Sequence, residues 1–128
     1  MKMQAAEKVS SAAVQVGGSA STRFAVVGHD PALTVQVLTY PFGIADIVLQ
    51  GTQQNPFIYS LDGRQAAIAG QKTAVEVALA LANALEGSGF AAFPWLVTET
   101  HAGVRLVPAR ALKNPDAVNY LNKLPRRA

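Results

Sequence analysis

Residues 57–86 read FIYSLDGRQAAIAGQKTAVEVALALANALE, two short β-prone runs followed by one long helix-forming run. The two β-prone runs flank the dipeptide Asp62-Gly63. This dipeptide favours a two-residue hairpin turn, because both central residues of such a turn need a positive φ. The stretch therefore predicts a β-hairpin from Phe57 to Ile68, with a helix shortly after it.

The helix-forming run carries its own start and stop signals. Glu76 follows Thr73 at the spacing of a capping box, and Gly87 supplies a residue suited to the left-handed conformation beyond the last turn. Good helix formers occupy almost every position in between. We predict the main helix of the chain over Thr73–Glu86, packed on a sheet.

One apolar stripe along this predicted helix consists of Val75, Leu79, Ala82 and Leu85. The polar face is narrow, so we expect the helix to bury most of its circumference against a sheet or a neighbouring subunit. Val75, Leu79 and Ala82 are therefore candidate subunit contacts.

Strand patterns precede the hairpin. Gly51 is expected to end the last of them, and the polar run Thr52–Pro56 is expected to be a loop. The predicted strands on this side are Phe24–Val27, Leu33–Tyr40 and Ile44–Leu49.

Strand patterns also follow the helix, with a turn expected at His101–Gly103. Asn114 and Pro115 are the cap and first residue of a short helix that we predict over Asn114–Leu124. The fold class is thus α+β: a mostly antiparallel β-sandwich or half-barrel of about six to eight strands, with one main helix packed on it and a short C-terminal helix. The predicted strands on this side are Phe90–Phe93, Trp95–Thr100 and Val104–Pro108.

Composition limits the class of protein. The chain has 128 residues, half of them apolar, and no cysteine, so a disulfide framework and thiolate chemistry are excluded. We divide it into a flexible N-terminal arm at 1–21, a single α+β domain at 22–112, and a short helix with a basic tail at 113–128. The arm does not resemble a signal peptide, and no apolar run approaches the ~18–20 residues of a membrane span.

Positive charge is concentrated at the C-terminal end. Residues 105–128 hold six of the eleven basic residues and one of the eight acidic ones. Arg126 and Arg127 are candidate contacts with an acidic neighbouring subunit or with nucleic acid phosphates, and a solvated tail is the third interpretation. Tyr120, in the predicted short helix, is a further candidate contact, either with a subunit or stacked on a base.

Few residues indicate catalysis or ligand binding. His29 and His101 both fall in predicted turns and have no second ligand at metal-binding spacing. Asp30 and Asp46 are isolated, and no nucleophile-elbow motif occurs. We therefore predict no enzyme, no cofactor, no metal and no small-molecule substrate. A hydrolase or ligand-binding domain is the third function considered, and it would require a deep pocket with convergent polar groups.

Residues 57–109 combine the hairpin, the capped helix and a second hairpin. The segments Leu61–Gly63, Thr73–Ala78 and Gly103–Leu106 carry the pattern. It resembles a β-β-α-β-β unit of tailed-bacteriophage virion proteins, among them tail sheath-like and other head or tail subunits. The resemblance implies a non-enzymatic structural subunit of the tail or neck, or a capsid-decorating protein.

Such a subunit would self-assemble, bind other virion proteins and reside in the virion after assembly in the host cytoplasm. The alternative is a small basic nucleic-acid-binding module.

Overall fold

The computed structural model describes residues 24–61 and 63–124, and within them the chain forms two antiparallel sheets and two helices. The predicted arm at 1–21, Asp62, Arg126 and Arg127 lie outside the described residues. The strands are β1 (Phe24–Gly28), β2 (Leu33–Thr39), β3 (Ala45–Gln53), β4 (Phe57–Leu61), β5 (Arg64–Ile68), β6 (Lys72–Thr73), β7 (Phe90–Thr98) and β8 (His101–Pro108), and the helices are α1 (Ala74–Leu85) and α2 (Pro115–Lys123).

The predicted α+β class is confirmed. The small sheet has the strand order β1-β4-β5, and the large sheet has the order β2-β3-β8-β7, with β6 pairing on the end of β3. The two sheets do not close into a barrel, and both contribute to one core. The fully buried members of that core include Phe24 and Phe57 from the small sheet, Ile47, Leu49, Val104 and Leu106 from the large sheet, and Val77, Leu81 and Leu85 from α1.

Both ends of α1 follow the sequence signals. The Thr73 backbone N–H donates to Glu76 Oε1 at 2.9 Å, and the Glu76 N–H donates to Thr73 Oγ1 at 3.3 Å, so the capping box is present. Gly87 has a φ of +84° just beyond the helix. These local bonds satisfy two N–H groups that the first helical turn leaves without a partner.

The predicted β4–β5 hairpin is also confirmed. Leu61 pairs with Arg64, and Gly63, directly before β5, has a φ of +84°.

Strand β3 runs further than its sequence pattern predicts. Gly51 does not end it, and Thr52 and Gln53, expected in a loop, pair with β6. Gly51 adopts a φ of +111°, and a Cβ at this position would overlap the Ala32 carbonyl oxygen. Glycine here allows a close approach of two backbones within the sheet, which a composition pattern does not distinguish from a strand end.

The second hairpin turns earlier than predicted. Strand β7 is continuous through Pro94, and β8 already begins at His101, so Glu99 and Thr100 form the turn. Gly103 is a strand residue of β8 and pairs with Trp95 on β7. A Cβ at position 103 would overlap the Ile47 carbonyl oxygen and the ring of Trp95, which lies over the glycine. The expected turn at His101–Gly103 is therefore wrong, because this glycine makes room for a tryptophan.

The predicted C-terminal helix is present as α2. The Asn114 side chain accepts from the Asp116 N–H at 3.0 Å, and Pro115 is the first helical residue. Ala117 packs with Ile44 and Val107 in a second, smaller apolar cluster. Because Val107 and Leu106 point to opposite faces of β8, this cluster lies on the face of the large sheet remote from α1.

Candidate interaction surface

An apolar groove runs between α1 and β7. It has a volume of about 250 Å³. Leu79 on α1 and Leu96 on β7 both line it and are 52% and 54% exposed. The β7–α1 groove is lined by Val75, Ala78, Leu79, Pro94, Trp95 and Leu96. Because burial of apolar surface is favourable, another protein that covers these exposed leucines would form a complex of lower free energy.

Hydrogen bonds join the two walls of the groove near both ends. The Val75 backbone N–H donates to the Glu99 carbonyl at 3.1 Å, where α1 begins and β7 has just ended. Past the far end of α1, the Ala92 N–H donates to the Glu86 carboxylate at 2.7 Å. These contacts fix the spacing of α1 and β7, so the groove is present before any partner binds.

The side of α1 that faces the core differs from the predicted stripe. Ala82 packs inside the core and is 6% exposed, so it has no surface to offer another subunit. Leu79 points outward and Val75 is half-buried, which keeps both as candidate contacts. Helix α1 is apolar at nearly every position, so its periodicity did not distinguish the face that packs on the sheet from the face beside it.

An ion pair on the other face of the large sheet joins β3 to β8. Arg105 Nε and Nη2 donate to Asp46 Oδ1 and Oδ2, each at 2.9 Å, and the Tyr40 hydroxyl donates to Oδ2 at 2.9 Å. Asp46 is fully buried, and the Arg105 side chain is 13% exposed. Both carboxylate oxygens are therefore engaged by fixed donors, an arrangement that connects strands and leaves no free base for catalysis.

Asp46 has no evident partner in the sequence, yet it lies opposite Arg105 in the β3–β8 ladder. The signal that would have found this pair is a charged residue within an apolar run, which occurs in IADIVL (44–49) and in VRLVP (104–108). Asp and Arg are almost never fully buried unless they are paired.

Asp30 anchors two loops. Its carboxylate accepts from the Ala32 N–H at 2.8 Å and from the backbone N–H groups of Gln54 and Asn55 at 3.2 and 3.3 Å. The hydrogen bond from the Ala32 amide, more than the others, holds the pKa of this carboxyl below its ordinary value. Asp30 thereby ties the β1–β2 turn to the segment before β4.

The two histidines occupy different settings. His29 lies in the connection between β1 and β2, two residues before the turn at 31–32, with Nδ1 3.0 Å from the Asp30 carbonyl oxygen. His101 is a strand residue, and its ring meets Trp95 edge-on at 5.8 Å between centroids. Among residues 24–61 and 63–124, no group of three or more histidine, aspartate or glutamate side chains is arranged to hold a metal. No helix within those residues is long and apolar enough to cross a membrane.

Tyr120 lies on α2, away from the β7–α1 groove. It is half-buried, and its ring centroid is 5.9 Å from that of Phe42, which is 40% exposed and has a φ of +66°. The structure therefore does not bring Tyr120 together with Val75 and Leu79.

Comparison with protein-family models, with curated proteins and with solved structures found no match for this chain.

Proposed function

We propose that this chain is a non-enzymatic structural subunit of a tailed-bacteriophage virion, a tail, neck or capsid-decorating protein that self-assembles. The observation that carries the proposal is the β7–α1 groove, whose exposed leucines form an apolar surface on a rigid part of the fold. The resemblance of residues 57–109 to the β-β-α-β-β unit of virion proteins supplies the particular class. In such a role the protein would bind copies of itself and other virion proteins, and it would reside in the virion.

The shape of the groove favours assembly over ligand chemistry. Its six lining residues are apolar apart from the Trp95 indole nitrogen, so it does not converge polar groups on a small molecule. An apolar surface of this kind is instead suited to side chains of another protein.

Mass photometry and negative-stain imaging of the full chain test the proposal. We expect defined oligomers, and we expect Leu79→Gln combined with Leu96→Gln to shift them to smaller species, because the polar amides remove the gain from apolar burial. Leu112→Gln is the matched control, since Leu112 is 42% exposed but lies outside the groove.

A strictly monomeric protein at every concentration would overturn the proposed function. Oligomers that respond equally to the groove variant and to Leu112→Gln would remove the groove as the contact.

A basic nucleic-acid-binding module is the second candidate. Arg110, Lys113 and Lys123 are exposed near the C-terminal end of the described chain, and Arg126 and Arg127 follow them in sequence. A gel-shift assay at low salt distinguishes this function: it requires binding that weakens with salt and on replacing Arg126 and Arg127 by alanine. Absence of any shift at low salt would eliminate it.

A further inference from the structure

Among residues 24–61 and 63–124, strand β2 has no neighbour along one long edge of the large sheet. Two hydrogen bonds lie at the two ends of the β2–β3 ladder. The Tyr40 N–H donates to the Ile44 carbonyl at 2.8 Å, and the Thr52 N–H donates to the Ala32 carbonyl at 3.4 Å. In this register the even-numbered residues of β2 bond to β3, and the odd-numbered ones direct their N–H and C=O groups outward. The described residues supply no backbone partner for the outward groups of Val35, Val37 and Thr39.

The opposite edge of the same sheet is blocked against strand pairing. On β7 the outward groups belong to the even-numbered residues: the Phe90 carbonyl accepts from the Gly87 N–H at 3.0 Å, and the Ala92 N–H donates to Glu86. Pro94 has no N–H, and the ladder is irregular between Leu96 and Thr98. A proline, a bulge and a charged side chain at the edge are among the devices by which proteins prevent edge-to-edge pairing.

The edges of the small sheet are less suited to an added strand. Strand β1 has five residues and an irregular register after Val26. Strand β5 also has five residues, and its first four, Arg64 to Ala67, are exposed, so they offer an added strand little apolar surface. Strand β2 has seven residues in continuous register, with Val35 buried and Val37 half-buried on the core face and Gln36 exposed on the other.

The N-terminal segment carries the same pattern as this edge. Residues 12–16 read AAVQV, and their Val14-Gln15-Val16 repeats the Val-Gln-Val of 35–37. A strand with Val14 and Val16 on the core face would cover the exposed part of Val37 and place Gln15 beside Gln36. Residues 17–23 have no large apolar side chain and extend to at most about 25 Å, which limits how far residues 12–16 can reach from the start of β1.

We propose that residues 12–16 of a second copy of this chain add to the outer edge of β2 as a further strand of the large sheet. Backbone hydrogen bonds to Val35, Val37 and Thr39 provide affinity, and the two inward valines set the register. This inference rests on the proposed self-assembly and names the segment and the edge through which copies join.

The absence of cysteine in the chain makes disulfide trapping specific. We would place Gln15→Cys in one sample of full-length protein and Gln36→Cys in another, mix them, oxidise them, and map the linked peptides by mass spectrometry. Adjacent strands hold facing Cα atoms about 4.5–5.5 Å apart, within the range of a disulfide. We expect a peptide pair joining positions 15 and 36, formed between two separate chains.

Gln65→Cys, on the exposed strand β5, replaces Gln36→Cys in the matched control, and we expect at least a tenfold lower yield of cross-link. Equal yields would overturn the assignment to β2. A link that forms only when both substitutions are in one chain would overturn the second copy as the occupant. Oligomers that persist without any link between positions 15 and 36 would overturn this inference and leave the proposed function standing.

A charge-matched pair of variants tests the orientation of the segment. Val14→Lys places a charge on the face turned toward the core, whereas Gln15→Lys places it on the exposed face. Combined with Gln15→Cys, Val14→Lys should reduce the fraction of chains linked between positions 15 and 36 at least tenfold. Gln15→Lys, which has no cysteine to trap, should leave the oligomers seen by mass photometry unchanged. The reverse order of effects would contradict the proposed register.

Discussion

The Asp46–Arg105 ion pair is a buried contact whose loss should greatly weaken the fold. Asp46 is completely buried, with 0% of its surface accessible to solvent. Arg105 donates two hydrogen bonds to its carboxylate, each at 2.9 Å. Charge-assisted hydrogen bonds contribute about 1.5–3 kcal/mol each, and removing one partner of a buried pair costs about 3–5 kcal/mol. We expect Arg105→Met to lower the free energy of unfolding by about 3–5 kcal/mol, because the buried carboxylate loses its guanidinium.

The double variant Asp46→Leu, Arg105→Met separates the pair from the packing around it. Replacing a buried ion pair by apolar residues is often neutral, although the Tyr40 hydroxyl here loses an acceptor at 2.9 Å, which costs about 1 kcal/mol. We expect the double variant to lie within about 1–2 kcal/mol of the unchanged protein, and thus to be more stable than Arg105→Met alone.

Urea unfolding followed by circular dichroism measures these differences. All variants should be compared at one low protein concentration, because oligomer formation adds to the apparent stability. A loss below about 1 kcal/mol for Arg105→Met would refute the reasoning, since it would mean that the carboxylate is not held by the guanidinium. Additive single-site losses in the double variant would refute it as well.

Three further predictions concern single positions. Gly103→Ala should destabilise the fold by about 1–3 kcal/mol in the same urea assay, because its Cβ would overlap the Trp95 ring and the Ile47 carbonyl. Because the hydrogen bonds to Asp30 lower the pKa of its carboxyl in the folded state, the stability that they contribute is complete above the ordinary pKa of 3.8 and is lost as the pH falls through the lower folded pKa. Asp30→Asn should therefore flatten the acid limb of a curve of unfolding free energy against pH. Thr73→Ala should cost about 1 kcal/mol through loss of the helix cap, measured by thermal unfolding, whereas an unchanged melting temperature would argue against the capping box.

Local signals predicted the elements whose geometry is set within a few residues. The Gly63 turn and the Thr73–Glu76 capping box each depend on neighbours along the chain, and both are present. The boundaries that failed depend on distant residues instead. Gly103 lies in a strand because Trp95 on β7 packs over it, and Gly51 continues β3 because its backbone approaches Ala32. A glycine that permits a close approach and a glycine that permits a turn look the same in sequence.

The candidate surface was predictable only in part, for a related reason. Leu79 was selected from an apolar stripe and is exposed, but Ala82 from the same stripe packs in the core. On a helix that is apolar at almost every position, the sheet it packs on decides the buried face. The opposite wall of the groove, at Pro94 and Leu96, was not predicted because it requires the pairing of β7 beside α1.

The two proposed contacts lie at opposite edges of the large sheet, whose order is β2-β3-β8-β7. In the strand contact, one copy supplies residues 12–16 and the next copy supplies the edge of β2. Because these are two different surfaces, each added copy presents a new open β2 edge. Contacts of this heterologous kind build rings or filaments unless two copies exchange segments reciprocally, which closes a dimer. Mass photometry distinguishes the two: we expect species beyond the dimer, and a population that stops at the dimer would indicate reciprocal exchange. The blocked edge of β7 prevents the sheets of two copies from pairing edge to edge there, so strand addition is confined to β2 and the contact beside β7 is made through the side chains of the groove.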